Sequence, residues 1–258
     1  MPIQAAQKTL INAITAFGAY LIFSWASCKL IFRPGVSIKL LIQQMDFIGV
    51  RSFWITILAS IMIGAVFGIQ FGTIFRTFGA ESMIGAAASF ALSKELAPVI
   101  TSFLIAGRAG SAIAAEIGNM KVGEQLDAMK VMAVNPLHYL AAPRIFAGMI
   151  MTPLLTGIFM LTGVFSAYAV GVLLFDIDRG VFIERINWIT KPRHVFQGLE
   201  KAFIFGILLS TIGCYKGFST EGGAKGVGRS TTEAVVTALV SILLVDFFLS
   251  YLQLEPRL

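Results

Sequence analysis

Lys94 and Glu95 stand side by side inside an apolar run, Met83 to Ala106, with Pro98 three residues on. Ionisable side chains at hydrocarbon depth are costly and face a bundle interior or a watery cavity, which makes both candidates for a cavity lining. The structural alternatives are an ion pair between the neighbours, or a lysine that snorkels to the interface. Asp246 lies in a second apolar run, Glu233 to Leu252, and must be paired or hydrated. If the three act together, the chemistry is a proton relay driven by an ion gradient. A second pattern is apolar. Phe67, Phe71, Ile74, Phe75 and Phe78 recur at three- and four-residue steps and so share one helical face. Such a face is either a wall for an apolar ligand or a packing and lipid-contact surface. Gln70 beside it offers a polar contact to a ligand or a hydrogen bond between helices.

Other chemistries lack their residues. His138 and His194 are the only histidines and form no zinc-protease pair. No Gly-x-Ser-x-Gly elbow occurs, so a lipid-modifying enzyme would lack a nucleophile and base. The loop Gly217 to Arg229 is glycine-rich but has no Gly-Lys-Ser/Thr ending, so it is not a phosphate-binding loop. Cys28 and Cys214 have neither disulfide nor metal-ligand spacing and are expected to be packing residues. With no nucleotide site in the chain, energy must come from an ion gradient or a partner.

The elements that position these residues follow from composition. The 258 residues are 57% hydrophobic and 13% charged, with a mean hydropathy of +0.82, far more apolar than a soluble domain. The net charge of +6 is scattered between apolar blocks rather than gathered in a stripe, which argues against nucleic acid. Spanning helices are expected at Phe53 to Phe75, Met83 to Ala106, Ile145 to Phe175, Leu199 to Phe218 and Glu233 to Leu252, each near or above the ~20 residues a crossing needs. The third is long enough to tilt or protrude. Leu10 to Phe32 is interrupted by Asn12, Ser24, Ser27 and Lys29 and ended by Pro34 and Gly35. It is either an interfacial amphipathic helix or a sixth span. No small-residue cleavage site follows it, so the first helix is expected to stay in the mature protein.

With five spans and the N-terminus inside, the loops carrying Arg51, Arg108, Lys121, Lys130, Arg144, Lys216, Lys225 and Arg229 are cytoplasmic. Gly118 to Pro136 is then a cytoplasmic connection, with Val122, Leu126, Met129 and Ala133 on one helical face and Glu124 and Asp127 opposite. On the outer side, Asp176 to Gln197 mixes Phe182, Ile183, Ile186, Trp188 and Ile189 with charges and reads as an interfacial helix.

The stretch Lys94 to Ala147 resembles the MlaE family of lipid ABC-transporter permeases. The matches are Glu95-Leu96-x-Pro98-Val99, Ala106-Gly107-Arg108-x-Gly110, Ala115-Glu116-Ile117-Gly118, Glu124-Gln125-Leu126-Asp127-Ala128 and Pro143-Arg144, with a second block from Gly222 to Val236. The resemblance implies an all-α integral membrane protein of the bacterial inner membrane, in one permease domain. It implies five transmembrane helices with an N-terminal interfacial helix, a cytoplasmic coupling helix and a periplasmic interfacial helix. Implied partners are a second copy of the chain, ATP-binding cassette subunits that hold ATP and Mg, a small STAS-domain subunit and a periplasmic MCE-domain hexamer. The implied cargo is phospholipid, moved between the inner membrane and a periplasmic carrier system that maintains outer-membrane asymmetry. Carried over by position, Phe67, Gln70, Phe71, Ile74, Phe75, Phe78, Lys94 and Glu95 would line a lipid cavity between two permeases. Glu124, Gln125, Asp127 and Met129 would lie on the coupling helix. Lys94 departs from the arginine of the family, which keeps the charge but loses bidentate phosphate geometry.

Overall fold

The computed structural model describes residues 2–31 and 37–254, and every regular element among them is helical. In chain order these are α1 (Pro2–Ile31), α2 (Ile38–Ile48), α3 (Phe53–Thr77), α4 (Ile84–Ala91), α5 (Ala97–Ile105), α6 (Ser111–Val122), α7 (Gln125–Val131), α8 (Ala142–Leu174), α9 (Arg179–Ile189), α10 (Pro192–Phe218) and α11 (Gly223–Leu252). Five stretches of the described residues are long and apolar enough to cross a membrane: Ile38–Thr77, Glu81–Val122, Leu137–Leu174, Pro192–Phe218 and Gly223–Leu252. The second joins α4, α5 and α6 through π-helical turns at Leu92–Leu96 and Ala106–Gly110. Because the spans alternate in direction, α7 lies at one end of the bundle and α9 at the other.

The spans run beyond the apolar blocks. The second continues past Ala106 because α6 buries Ile113, Ala114, Ile117 and Gly118 against α10 and α11. Glu95 is consequently not central: it lies about 21 Å along a span about 60 Å long, in the third nearest the α9 end. The fourth span begins at Pro192, whose fixed φ suits the first helical turn, rather than at Leu199. The outer interfacial helix accordingly stops at Ile189.

The bundle is held by small residues. α3 buries Thr56, Ser60, Gly64, Gly68 and Gly72, a stripe at four-residue steps on α8. A Cβ at Gly64 would meet the Gly163 carbonyl oxygen at 2.1 Å, so only glycine permits this approach. Ser166 Oγ donates to the Ile61 carbonyl at 2.7 Å across the same interface. α10 meets α8 through Gly148 and Gly206 and meets the first π-turn through Gly198, whose Cβ would fall 2.1 Å from the Ser93 carbonyl oxygen.

α9 is capped by the Asp178 carboxylate, which accepts from the Gly180 and Val181 amides at 2.8 and 3.1 Å. Its Phe182 is fully buried between Gly85 and Gly171 and pins it to the bundle. α1 packs on α8, α10 and the π-turn Leu137–Ala141. Tyr20 is 2.8 Å from the Thr211 hydroxyl and Phe23 rests on Tyr215 and Phe218, so residues 20–23 meet the last two turns of α10, at the α7 end. That contact and the five spans fit the interfacial reading of α1. Both cysteines are free, Cys214 buried and Cys28 half-buried among apolar neighbours.

Candidate functional site

The first π-turn, α10 and α11 bring four polar side chains together. Lys201, fully buried, donates through Nζ to Glu95 Oε2 and to Ser250 Oγ at 2.7 Å, and lies 3.0 Å from Asp246 Oδ1. The Asp246 contact is an ion pair. Ser250 Oγ in turn donates to Glu95 Oε2 at 3.1 Å. A buried ammonium needs this company, since an unpaired one carries a desolvation penalty of several kcal/mol. Two carboxylates face one ammonium, and Glu95 keeps 39% of its side chain exposed, so the cluster is anchored inside and open on one side. One turn from Lys201, Gln197 accepts a 3.4 Å hydrogen bond at its carbonyl from the Gln253 side chain. This extends the polar seam toward the α9 end.

Lys94 is not part of it. Its Nζ lies 5.5 Å from the centre of the Phe90 ring, so the neighbours Lys94 and Glu95 form no ion pair, and Lys201 takes the place that adjacency suggested for Lys94. A relay of Lys94, Glu95 and Asp246 is therefore not assembled: the last two meet through Lys201. A π-turn shifts side chains off the regular α-helical register, and such turns are frequent at functional sites.

The aromatic stripe on α3 divides in two. Phe67, Phe71 and Phe75 form a ladder with ring centres 5.5 and 6.1 Å apart. Phe71 and Phe75 pack inward on Ile84, Ile177 and Phe182. Gln70, Ile74 and Phe78 are exposed, and Gln70 makes no hydrogen bond to the described residues. Within one protomer the stripe stands apart from Glu95. The part of α3 packed beside the π-turn is Ala59 and Ile63, one turn before Phe67. α11 is the barest span, with 11% of its most apolar window buried against 56% for α10, so its apolar face is left to lipid or another subunit.

At the opposite end, Gly123 and Glu124 turn the chain from α6 into α7, Glu124 in the left-handed region at φ +57°. Leu126 is buried and Met129 half-buried, while Glu124, Gln125 and Asp127 are exposed. Lys130 donates to Asp127 at 2.7 Å, and that hydrogen bond, with the charges of Lys130 and Lys121, holds the Asp127 carboxyl below the usual range. The expected apolar face is shorter than its helical wheel: Val122 ends α6 exposed, and Ala133 follows α7 at φ +59°. Instead Val131 and Met132 project at the tip, the first 88% exposed.

Three residues of the sequence motifs brace this end. Arg144, nearly fully buried, pairs with Glu116 at 2.8 Å and donates to the Leu140 carbonyl at 2.7 Å, tying α6 to the start of α8. Arg108 donates to Ser52 Oγ at 2.8 Å and to the Phe47 carbonyl, fastening α2 to the second span. Among the described residues no three His, Cys, Asp or Glu side chains converge as a metal site.

A family model described as Permease MlaE matches residues 41–252, from α2 to the end of α11. The chain belongs to the MlaE permease family. Its MlaE-type sequence is 42% identical over 214 residues to a probable ABC transporter permease protein of Synechocystis, covering 83% of this chain and 81% of that protein. A probable ABC transporter permease protein of Rickettsia felis is 38% identical over 245 residues, 95% of each chain. The intermembrane phospholipid transport system permease protein MlaE of Haemophilus influenzae is 35% identical over 253 residues, 96% of this chain and 95% of that protein. For an MlaE-family permease the charged cluster, the α3 face and α7 are the parts to explain, and an ion-driven secondary transporter is no longer the frame for them.

Proposed function

We propose that this permease moves phospholipid across or out of the bacterial inner membrane, as a homodimer driven by ATP-binding cassette subunits that hold the ATP and Mg. The observation that carries the reading is the Glu95–Lys201–Asp246–Ser250 cluster, a partly open polar site set in spans whose α3 and α11 faces stay apolar and unburied. A phospholipid has a charged head and two hydrocarbon tails, and needs few polar groups beside a large apolar wall. In the dimer the exposed Gln70, Ile74 and Phe78 together with Phe67 supply the wall, and Glu95, the open member of the cluster, meets the head while the buried Lys201 holds it in place. Phe71 and Phe75 hold the wall against α9, and Lys94 guards its rim without contacting phosphate bidentately.

α7 is the coupling helix. Glu124, Gln125 and Asp127 face outward to the ATPase, Met129 fixes the helix to the bundle, and Val131 and Met132 enter an apolar groove of the partner. A STAS-domain subunit on the ATPases and an MCE-domain hexamer beyond α9 complete the assembly, which serves outer-membrane lipid asymmetry through a periplasmic carrier. The protein is transport machinery, and ATP hydrolysis belongs to its partner. Purification from the native membrane, followed by mass spectrometry, tests this. An ATPase and phospholipid retained with the chain, with the ATPase but not the phospholipid reduced by the double reversal Glu124→Lys and Asp127→Lys, supports it. A chain without an ATPase refutes it.

A further inference from the structure

On the far side of the first π-turn from Glu95 lies a groove of about 360 Å³ between the second span, α8, α9 and α10. Ser93 lines it, two residues before Glu95; successive helical side chains turn by ~100°, so the two point to opposite sides. The rest of the wall is mainly Gly157, Met160, Leu161, Val164, Ile186 and Val195. Its other hydroxyls, Ser89 and Thr190, bond to each other at 2.5 Å and ask nothing of a ligand. Gly157 is the unusual member. A Cβ there would find nothing within 4 Å, so no helix approach requires the glycine, although glycine inside a helix is less stable than alanine by roughly 0.5–1 kcal/mol. Its effect is to keep the groove open.

The groove is set among spans that cross the bilayer, so lipid acyl chains are within its reach. The groove runs up to the α9 end, where Arg185 precedes Ile186 and Lys191 follows Thr190, with Glu184 the one acid on α9. Trp188, exposed with Arg185 5.7 Å from its ring centre, marks the interfacial level at which headgroups sit. We infer that the groove binds one acyl chain of a phospholipid from the α9-side leaflet, with its phosphate beside Arg185 and Lys191. This site is separate from the cluster at Glu95 and needs only that these helices lie in a bilayer. Its occupant touches the same π-turn that carries Glu95, so the two sites share one backbone element.

The test is photolabelling of the purified permease in phosphatidylethanolamine vesicles doped with a phosphatidylglycerol that carries a diazirine midway along one acyl chain. Labelling of the segment 157–164 is compared with that around Phe203, a lipid-exposed residue of α10 outside the groove. Enriched labelling at 157–164 is expected, reduced to the level at Phe203 by Gly157→Leu, because the leucine side chain fills the space the acyl chain would occupy. Gly157→Ala should retain it and serves as the folded control. Arg185→Gln with Lys191→Gln should lower labelling by this probe but not by a diazirine-bearing diacylglycerol. Labelling no higher than at Phe203, or unchanged by Gly157→Leu, overturns the site; equal loss with both probes overturns the phosphate placement. ATP-dependent transport is read separately, so failure here and failure of the transport reading are distinguishable.

Discussion

Replacing Lys201 by methionine removes the only cation among the described residues that touches Glu95 Oε2 and Asp246 Oδ1 and strips Ser250 of one partner. Truncating one member of a buried ion pair costs about 3–5 kcal/mol, because the remaining charge is left uncompensated. Glu95 is partly exposed and can recruit water, whereas Asp246 is 20% exposed and has less recourse. The expected loss is therefore at the lower end, about 3 kcal/mol. Combining Lys201→Met with Glu95→Gln and Asp246→Asn removes the uncompensated charge and should recover at least half of that loss, since neutral replacement of a buried pair is often tolerated. Equilibrium unfolding in mixed micelles measures both variants. Lys94→Met is the internal comparison, and losing its contact with Phe90 should change stability by only about 0.5–1 kcal/mol. A Lys201→Met variant as stable as the parent, or a triple variant no better than the single one, would refute the charge argument.

Gly64→Ala drives a methyl into the Gly163 carbonyl and should separate α3 from α8 at a loss of about 1–3 kcal/mol in the same unfolding assay, while Gly107→Ala, with open space around its Cβ, should be near neutral. Val131→Asp with Met132→Ser should weaken ATPase copurification without altering unfolding of the isolated permease, because both side chains are exposed at the tip of α7. The folded Asp127 carboxyl titrates below its ordinary value of 3.8, so its contribution to α7 is complete above that pH and is lost as pH falls through the lowered folded value; Asp127→Asn should abolish that acid-side change, followed by a spectroscopic probe on α7. Ile74→Arg with Phe78→Arg should abolish lipid retention while leaving the fold intact, since both side chains are exposed in the protomer.

How much of this was legible in the sequence depends on which physical signal each feature leaves. The five spans are plain because hydrocarbon thickness demands long apolar runs. Their true lengths are not, because α6 and the first turns of α10 lie in helix beyond the apolar run and are stabilised by tertiary packing. Glu95 and Asp246 were identifiable from burial cost alone. Lys201 leaves no such mark: two residues inside the expected start of its span, it resembles a flanking charge, and only the packing of α10 against α11 brings it to Asp246 and Ser250. The signal that could have found it is charge bookkeeping, two intramembrane acids requiring a cation. On α3 the phenylalanines drew attention, while the Thr56 to Gly72 stripe that holds the helix in place repeats just as regularly on another face. Glu116 and Arg144 belonged to motifs without a visible reason for being there, and their reason is each other.

The most direct measurement is reconstitution of the permease with its ATPase in vesicles and the transfer of fluorescent phospholipid on addition of ATP. The account predicts transfer that requires hydrolysis, persists with every ion gradient collapsed and falls sharply in Ile74→Arg with Phe78→Arg. Lipid movement by the purified chain alone under a pH gradient, or an assembled and hydrolysing complex that moves no lipid, would contradict it.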